Sequence, residues 1–244
     1  MRRLLRLTLG IIAIVFVLPA LAHSVVWASL DRPRSWHEAD WSSSRMLAVP
    51  EIDAAAVYIM TARTGGMKGA VSSHSWIVLK KPGRRRFDRY DVVGWGTPVR
   101  KNAYVADALW YSNKPEIQYV VRGSDAEALI PEIEKAIAAY PFRRRGDYTI
   151  WPGPNSNTFV AGVIDAVPDL DVMLPPTAVG RDYPTDGKWV RRSAGGGLRI
   201  SLAGYAGLTL GDQRGFEINF LGLVAGFDPS RLELKVPGFG ALKL

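Results

Sequence analysis

The chain opens on a basic start, Arg2-Arg3-Leu4-Leu5-Arg6, followed by an uncharged apolar run from Leu7 to Leu18. Pro19 breaks that run, and Ala20-Leu21-Ala22 supplies the small-x-small pattern of a signal-peptidase site. Counted from Leu4 to Ala22, the segment is also about long enough to span a bilayer as a helix, and Val25-Val26-Trp27 extends it to an interfacial tryptophan. A terminal helix this apolar has no polar face to show to water, which argues against a buried core helix. Residues 1–22 therefore read as a signal peptide or a membrane anchor. Both readings put the cytosol before Arg6 and the remaining chain on the other side. The expected location is the periplasmic face of the inner membrane, or the soluble periplasm if the chain is cut after Ala22.

Beyond this segment the pattern changes from continuous to periodic. Residues 23–46, with Trp36, Trp41 and the Ser42 to Ser44 run, show no sustained period and read as a tether. Val57 to Ala62, His74 to Lys80 and Phe87 to Val93 read as strands of an antiparallel meander, with Lys81-Pro82-Gly83-Arg84 as a turn, and Ile117 to Val121 reads as a fourth short strand. Ser124 with Glu127 three residues on is a capping pattern, and Leu129, Ile130, Ile133, Ala136 and Ile137 recur at helical spacing. A second helix starts near Asn155, behind Pro152-Gly153-Pro154, with Phe159, Val160, Val163, Ile164 and Val167 on its apolar side.

From Leu198 the period becomes two. Leu198, Ile200 and Leu202, then Phe216, Ile218 and Phe220, then Leu232, Leu234 and Val236 alternate with smaller or polar residues, punctuated by Gly211, Asp212, Gly215, Gly226 and Pro229. These strands either extend the first sheet or form a separate one. The predicted fold class is α+β, an antiparallel sheet packed on two main helices over residues 47–190, with a C-terminal β extension over 191–244.

Composition narrows the chemistry. The 244 residues contain no cysteine, which excludes disulfides, thiolate nucleophiles and zinc-thiolate sites. Three histidines, His23, His37 and His74, without a His-x3-His pair make a zinc hydrolase improbable, and no nucleotide-binding glycine motif occurs, so neither metal nor cofactor is expected. The net charge of +8 sits largely in short runs beside predicted turns, which read as solvated loop ends, with attraction to anionic lipid headgroups as the functional alternative. An exported chain has no access to nucleic acid.

The helix opening at Asn155 holds the most informative residues. Ser156 falls at or next to its N-cap, where free N–H groups and the helix dipole favour developing negative charge, although capping alone also accounts for Asn and Ser there. His74 stands at a strand start, where a hydrogen-bonded structural role competes with that of a general base. His74, Trp76 and Val78 share one face, as do Phe87, Arg89, Asp91 and Val93. A hairpin loop of two or four residues puts Asp91 on the His74 face, opposite or diagonal; an odd-length loop puts it on the other.

Ser73-His74-Ser75-Trp76-Ile77-Val78 and Asn155-Ser156-Asn157-Thr158-Phe159-Val160 resemble, in the permuted order, the histidine strand and the Asn-Cys-x-x-Phe-Val helix start of the permuted papain-like superfamily, which includes NlpC-type peptidases and lecithin:retinol acyltransferases. The same motifs, with Trp151-Pro152-Gly153-Pro154 and Leu174-Pro175-Pro176-Thr177-Ala178, resemble an uncharacterised bacterial envelope family, the domain-of-unknown-function 3750 family, over roughly residues 55 to 180. The resemblance implies a permuted papain-like core in which Ser156 replaces the nucleophilic cysteine. His74 would then be its base and Asp91 the third member, with Asn155, Asn157, Thr158 and Trp76 lining a ligand.

A serine hydroxyl must lose its proton to a placed base, so a cysteine-shaped site that acquires serine is either rebuilt or inactive. The leading expectation is thus an exported, membrane-associated protein whose cleft between the His74 strand and the Ser156 helix binds a peptide or acyl-type ligand. One alternative is a serine-type hydrolase or acyltransferase acting on cell-wall peptide or lipid. The other is a structural envelope protein that contacts a partner through its C-terminal strands.

Overall fold

The computed structural model describes residues 1–48, 52–170, 172–192, 196–211 and 215–244. In it the apolar start is one continuous rod: α1 (Arg2–Ile12) passes through a π-helical turn (Ala13–Val17) into α2 (Leu18–Ser29). Pro19 does not break the helix. Proline lacks an N–H and crowds the carbonyl one turn earlier, and the widened turn just before it absorbs that conflict. The rod Arg2–Ser29 is long and apolar enough to cross a membrane. One narrow stripe of it touches the domain. Phe16 meets Phe220 with ring centroids 5.5 Å apart, His23 meets Phe239 at 4.8 Å, and Trp27 donates its indole N–H to the Gly66 carbonyl at 3.0 Å. Leu7, Ile14, Leu18 and Leu21, on its other flanks, remain exposed.

The central sheet contains β1 (Ala56–Arg63), β2 (Ser73–Lys80), β3 (Phe87–Val92), β4 (Val99–Lys101) and β5 (Glu116–Arg122), all antiparallel, in the order β4-β3-β2-β1-β5. Only β4, too short to show a period, goes unannounced by the sequence. α3 (Ser124–Ala139) and α4 (Ser156–Ala166) cover one face, where Val57, Ile59, Ile77 and Leu79 join Ile130, Ile133, Phe159 and Val160 in one core. Gly123, at φ +68°, precedes α3, and Ser124 is the first helical residue with no side-chain capping bond. The capping box expected there does not form.

Among the described residues no helix covers the opposite face; the tether lies over it. Its first residues belong to α2, and the rest is clamped by Asp107, which accepts from Ser43 Oγ at 2.7 Å and from the Met46 and Leu47 amides at 2.8 and 3.2 Å. Trp41 seats against Trp110 with centroids 5.1 Å apart. Those aromatic contacts anchor a segment whose sequence shows no period.

The C-terminal strands form a separate seven-stranded meander: β6 (Val190–Arg192), β7 (Leu198–Leu202), β8 (Ala206–Leu210), β9 (Phe216–Phe220), β10 (Leu223–Asp228), β11 (Glu233–Val236) and β12 (Gly240–Lys243). Asp212, assigned to a turn from sequence, lies outside the described residues. The sheet meets the core through its polar face. Buried Glu217 accepts from Arg181 at 2.7 Å and from Lys235 at 2.6 Å, and Asn219 donates to Asp182 at 3.0 Å. Cross-strand partners share a face, and the register places Leu208 beside Ile218, Ile218 beside Ala225, and Leu210 beside Phe216 on the other side. That side is apolar and turned outward: Leu202, Leu210, Phe216, Ile218, Phe227, Leu234 and Leu242 are all exposed.

Candidate functional site

Side-chain alternation on β2 divides the predicted site residues between two faces. Ser75 points to the helices and donates its hydroxyl to Asn157 Oδ1 at 2.6 Å. His74 points the other way, and its ring stacks on Trp110, 3.7 Å between centroids and 3° from parallel. The strand and the start of α4 therefore meet directly, through Ser75 and Asn157. The imidazole and the Ser156 helix stand on opposite faces of β2.

On the helix side the Asn-Ser-Asn-Thr motif is consumed by structure. Asn155 is the N-cap: its Oδ1 accepts from the Asn157 and Thr158 amides at 2.9 and 3.1 Å, while its Nδ2 donates to the Ile150 and Val179 carbonyls. Asn157 Nδ2 donates to the Ser73 and Val179 carbonyls, and Thr158 Oγ1 to the Gly180 carbonyl at 2.7 Å. Gly180, at φ +94°, carries no Cβ because one would lie 2.3 Å from Asn155. These bonds tie the helix start to β2 and to the segment after Pro176. Ser156 is the first helical residue and is itself buried.

On the other side β2 and β3 assemble a second cluster. The connecting loop, residues 81–86, has even length, and the register pairs Val78 with Arg89, so Asp91 falls diagonal to His74 on the same face. His74 Nε2 lies 3.6 Å from Asp91 Oδ2, beyond hydrogen-bond length. That same oxygen accepts from Arg89 Nε at 3.2 Å and Nη2 at 2.8 Å, and Arg89 Nη1 donates to the Val105 carbonyl at 2.9 Å. The guanidinium lies over Trp76, 4.2 Å from its centroid, and Trp76 donates to the Ala106 carbonyl at 2.9 Å. His74 Nε2, Asp91 Oδ1 and Trp110 Nε1 are buried without a hydrogen-bond partner among the described residues.

Burial pushes the His74 pKa down against the pull of Asp91, so the imidazole is neutral near neutral pH. Burial alone would raise Asp91; His74 and the Arg89 guanidinium outweigh it and hold the carboxyl below its usual range. The result is a buried Arg–Asp ion pair with an uncharged imidazole beside it.

Above this cluster opens a cleft of about 400 Å³ lined by Trp36, Trp41, Trp95, Tyr104 and Tyr111. Buried Trp110 connects the cluster to the lining: its ring stacks on His74 and meets Trp41, Tyr104 and Tyr111 at 5.1, 5.2 and 6.0 Å. Burial raises the Tyr104 and Tyr111 pKa values, so both phenols stay protonated. Several polar groups around the cleft are already engaged. Trp41 Nε1 donates to the Trp36 carbonyl, and Arg100 donates to the Thr97 and Trp95 carbonyls. Sequence reasoning passed over Trp95, Tyr104, Trp110 and Tyr111. Their signal was aromatic density in a stretch without period, which marks neither helix nor strand.

The model of a family described as "Protein of unknown function (DUF3750)" matches residues 54–183. That span includes β1 to β5, both core helices and all the residues of the buried His74 cluster. No curated protein and no solved structure matches the chain.

Proposed function

The chain belongs to that family of unknown function, and from its own geometry we propose that it is a membrane-anchored envelope protein that binds an acyl-type ligand in the aromatic cleft. One observation carries the reading: five aromatic side chains, two from the tether and three from the 95–111 stretch, converge on a single cleft. A pocket walled by aromatic rings, with Trp41 Nε1 and Arg100 engaged in internal bonds, suits an apolar chain better than a peptide backbone, which needs more donors and acceptors than the indole N–H groups and the two tyrosine hydroxyls of this lining offer. A cationic ligand is disfavoured, because the Arg89 and Arg100 guanidinium groups already sit 5.2 and 5.7 Å from the Tyr104 and Trp95 ring centroids.

Descent from a permuted papain-like ancestor, with cysteine replaced by Ser156 and the histidine turned to the other face, accounts for both short motifs without an active enzyme. The anchor reading draws on the docked rod, since Ala20-Leu21-Ala22 lies inside α2 between the contacts made by Phe16 and Trp27.

The test is photocrosslinking of the full chain in phospholipid nanodiscs with a diazirine-bearing fatty acid, followed by peptide mapping. Adducts should appear on the segments carrying Trp41, Trp95 or Tyr104 and should fall in Trp41→Ala. Adducts confined to the N-terminal rod and C-terminal strands, or cleft adducts unchanged by Trp41→Ala, would overturn the assignment.

A further inference from the structure

The C-terminal sheet is built with its polarity reversed. Its inward face carries buried Glu217 and Lys235, which pair with each other while Glu217 also meets Arg181 of the core, and its outward face is apolar across the strands, with Arg192 on edge strand β6 as the charged exception among the described strand residues. Seven strands about 4.8 Å apart and some five residues long give this face a footprint of roughly 550 Å². An apolar face of that size lies at the upper end of the range for the largest patch on a soluble monomer, where such patches are often functional.

Its position next to the rod says what covers it. We infer that the outward face of the C-terminal sheet is sunk in the hydrocarbon of the bilayer that the N-terminal helix enters. Arg6 is the last charge before the apolar run, so a spanning helix enters hydrocarbon near Leu7. Phe16 lies nine residues further along, about 14 Å at 1.5 Å per residue. That is close to the midplane of a hydrocarbon core about 30 Å thick. At Phe16 the helix already touches Phe220, the last outward residue of β9. A helix that spans therefore places this end of the sheet at hydrocarbon depth. A helix lying in the membrane plane brings the same face against the lipid. The strands pair with one another throughout the meander, so the interior of the face presents side chains and not open backbone to lipid, which is the condition for entering hydrocarbon. The inference rests on the anchor reading.

The cysteine-free sequence permits a direct test. Single cysteines replacing Ile218 or Leu234 on the face, Val15 on the rod and Glu132 on exposed α3 carry a nitroxide label in the full chain reconstituted in phospholipid vesicles. Collision with oxygen, which concentrates in lipid, and with a water-soluble nickel chelate reports the surroundings of each label. Ile218→Cys and Leu234→Cys should favour oxygen over nickel, as Val15→Cys does, with the ratio reversed at Glu132→Cys. If Val15→Cys is in lipid while both sheet labels meet nickel, the inference fails and the anchor reading survives. Sheet labels shielded from both reagents, with spin–spin broadening, would mean that a second copy covers the face, and the inference fails. If Val15→Cys itself meets nickel, the anchor reading fails and takes the inference with it.

Discussion

Replacing Arg89 with methionine removes the positive partner of the most deeply buried carboxylate in the site. Arg89 and Asp91 are 1% and 0% exposed, and both guanidinium bonds fall on Asp91 Oδ2. Without them the carboxylate keeps only His74, whose Nε2 stands 3.6 Å away, and the cation over Trp76 is lost as well. Breaking one side of a buried pair costs about 3–5 kcal/mol. For a chain of this size that lowers the thermal midpoint by roughly 6–20 °C, at about 2–4 °C per kcal/mol. The loss should depend on pH. In the native protein Arg89 helps hold Asp91 below its usual pKa. In the variant the carboxyl titrates higher, so the deficit is full at neutral pH and shrinks as acid protonates Asp91. Circular dichroism melts of the full chain in mild detergent measure this. Arg89→Met with Asp91→Leu, which removes both charges, should recover most of the midpoint because no unpaired charge is left behind. A single variant melting within two degrees or so of the native protein, or a double variant as unstable as the single one, would refute the buried-pair account.

Two further outcomes follow from the same geometry. His74 has its folded pKa pushed below the ordinary 6.5 by burial, so as pH falls through that value the unfolded chain takes up a proton that the folded one refuses, and stability falls by up to about 1.4 kcal/mol per pH unit; in His74→Gln the melting midpoint should lose this component of its slope between pH 7 and 5.5, and an unchanged slope would show that the imidazole is not buried and neutral. Asn155→Ala removes the α4 cap and two carbonyl partners and should cost roughly 1–3 kcal/mol by denaturant melts, whereas Ser156→Ala should fall within about 1 kcal/mol of the native chain. A Ser156→Ala loss as large as that of Asn155→Ala would mean the hydroxyl carries structural bonds of its own.

Much of the fold was legible because it is written in periods. Four core strands and both core helices came from apolar runs, helical spacing and the turn and capping residues between them, and the even loop at residues 81–86 set Asp91 on the face of His74 as strand geometry allows. The site was less legible for a physical reason. A strand that is buried on both sides hides which residue of a neighbouring pair faces the helix, and Ser75, not His74, meets Asn157. Nor does a motif announce whether its polar atoms are free: Asn155, Asn157 and Thr158 are expected from the sequence to line a ligand, yet each is engaged in holding the helix start to β2 and the 179–180 segment. The cleft went unread because Trp36 and Trp41 reach it from a segment without period and meet Tyr104 and Tyr111 only in the folded chain.

The C-terminal sheet shows the same limit in its purest form. Period two separates a strand's residues into two sets, but alternation is symmetric and does not say which set is inside; in a water-soluble domain the apolar set is assigned inward by default. Here two local facts reverse that assignment. Glu217 on β9 pairs with buried Arg181 and with Lys235 on β11, so the polar set is drawn against the core by charges that would be costly to bury unpaired. The apolar set is thereby committed outward, on the side where Phe16 of the rod already meets Phe220. A chain that began without an apolar helix would gain nothing from such an arrangement and would aggregate through it. On the inference above, the first thirty residues and the last fifty form one device: the charges at Arg181, Glu217 and Lys235 decide which face turns outward, and the bilayer that the helix enters is the apolar medium that makes turning it outward stable.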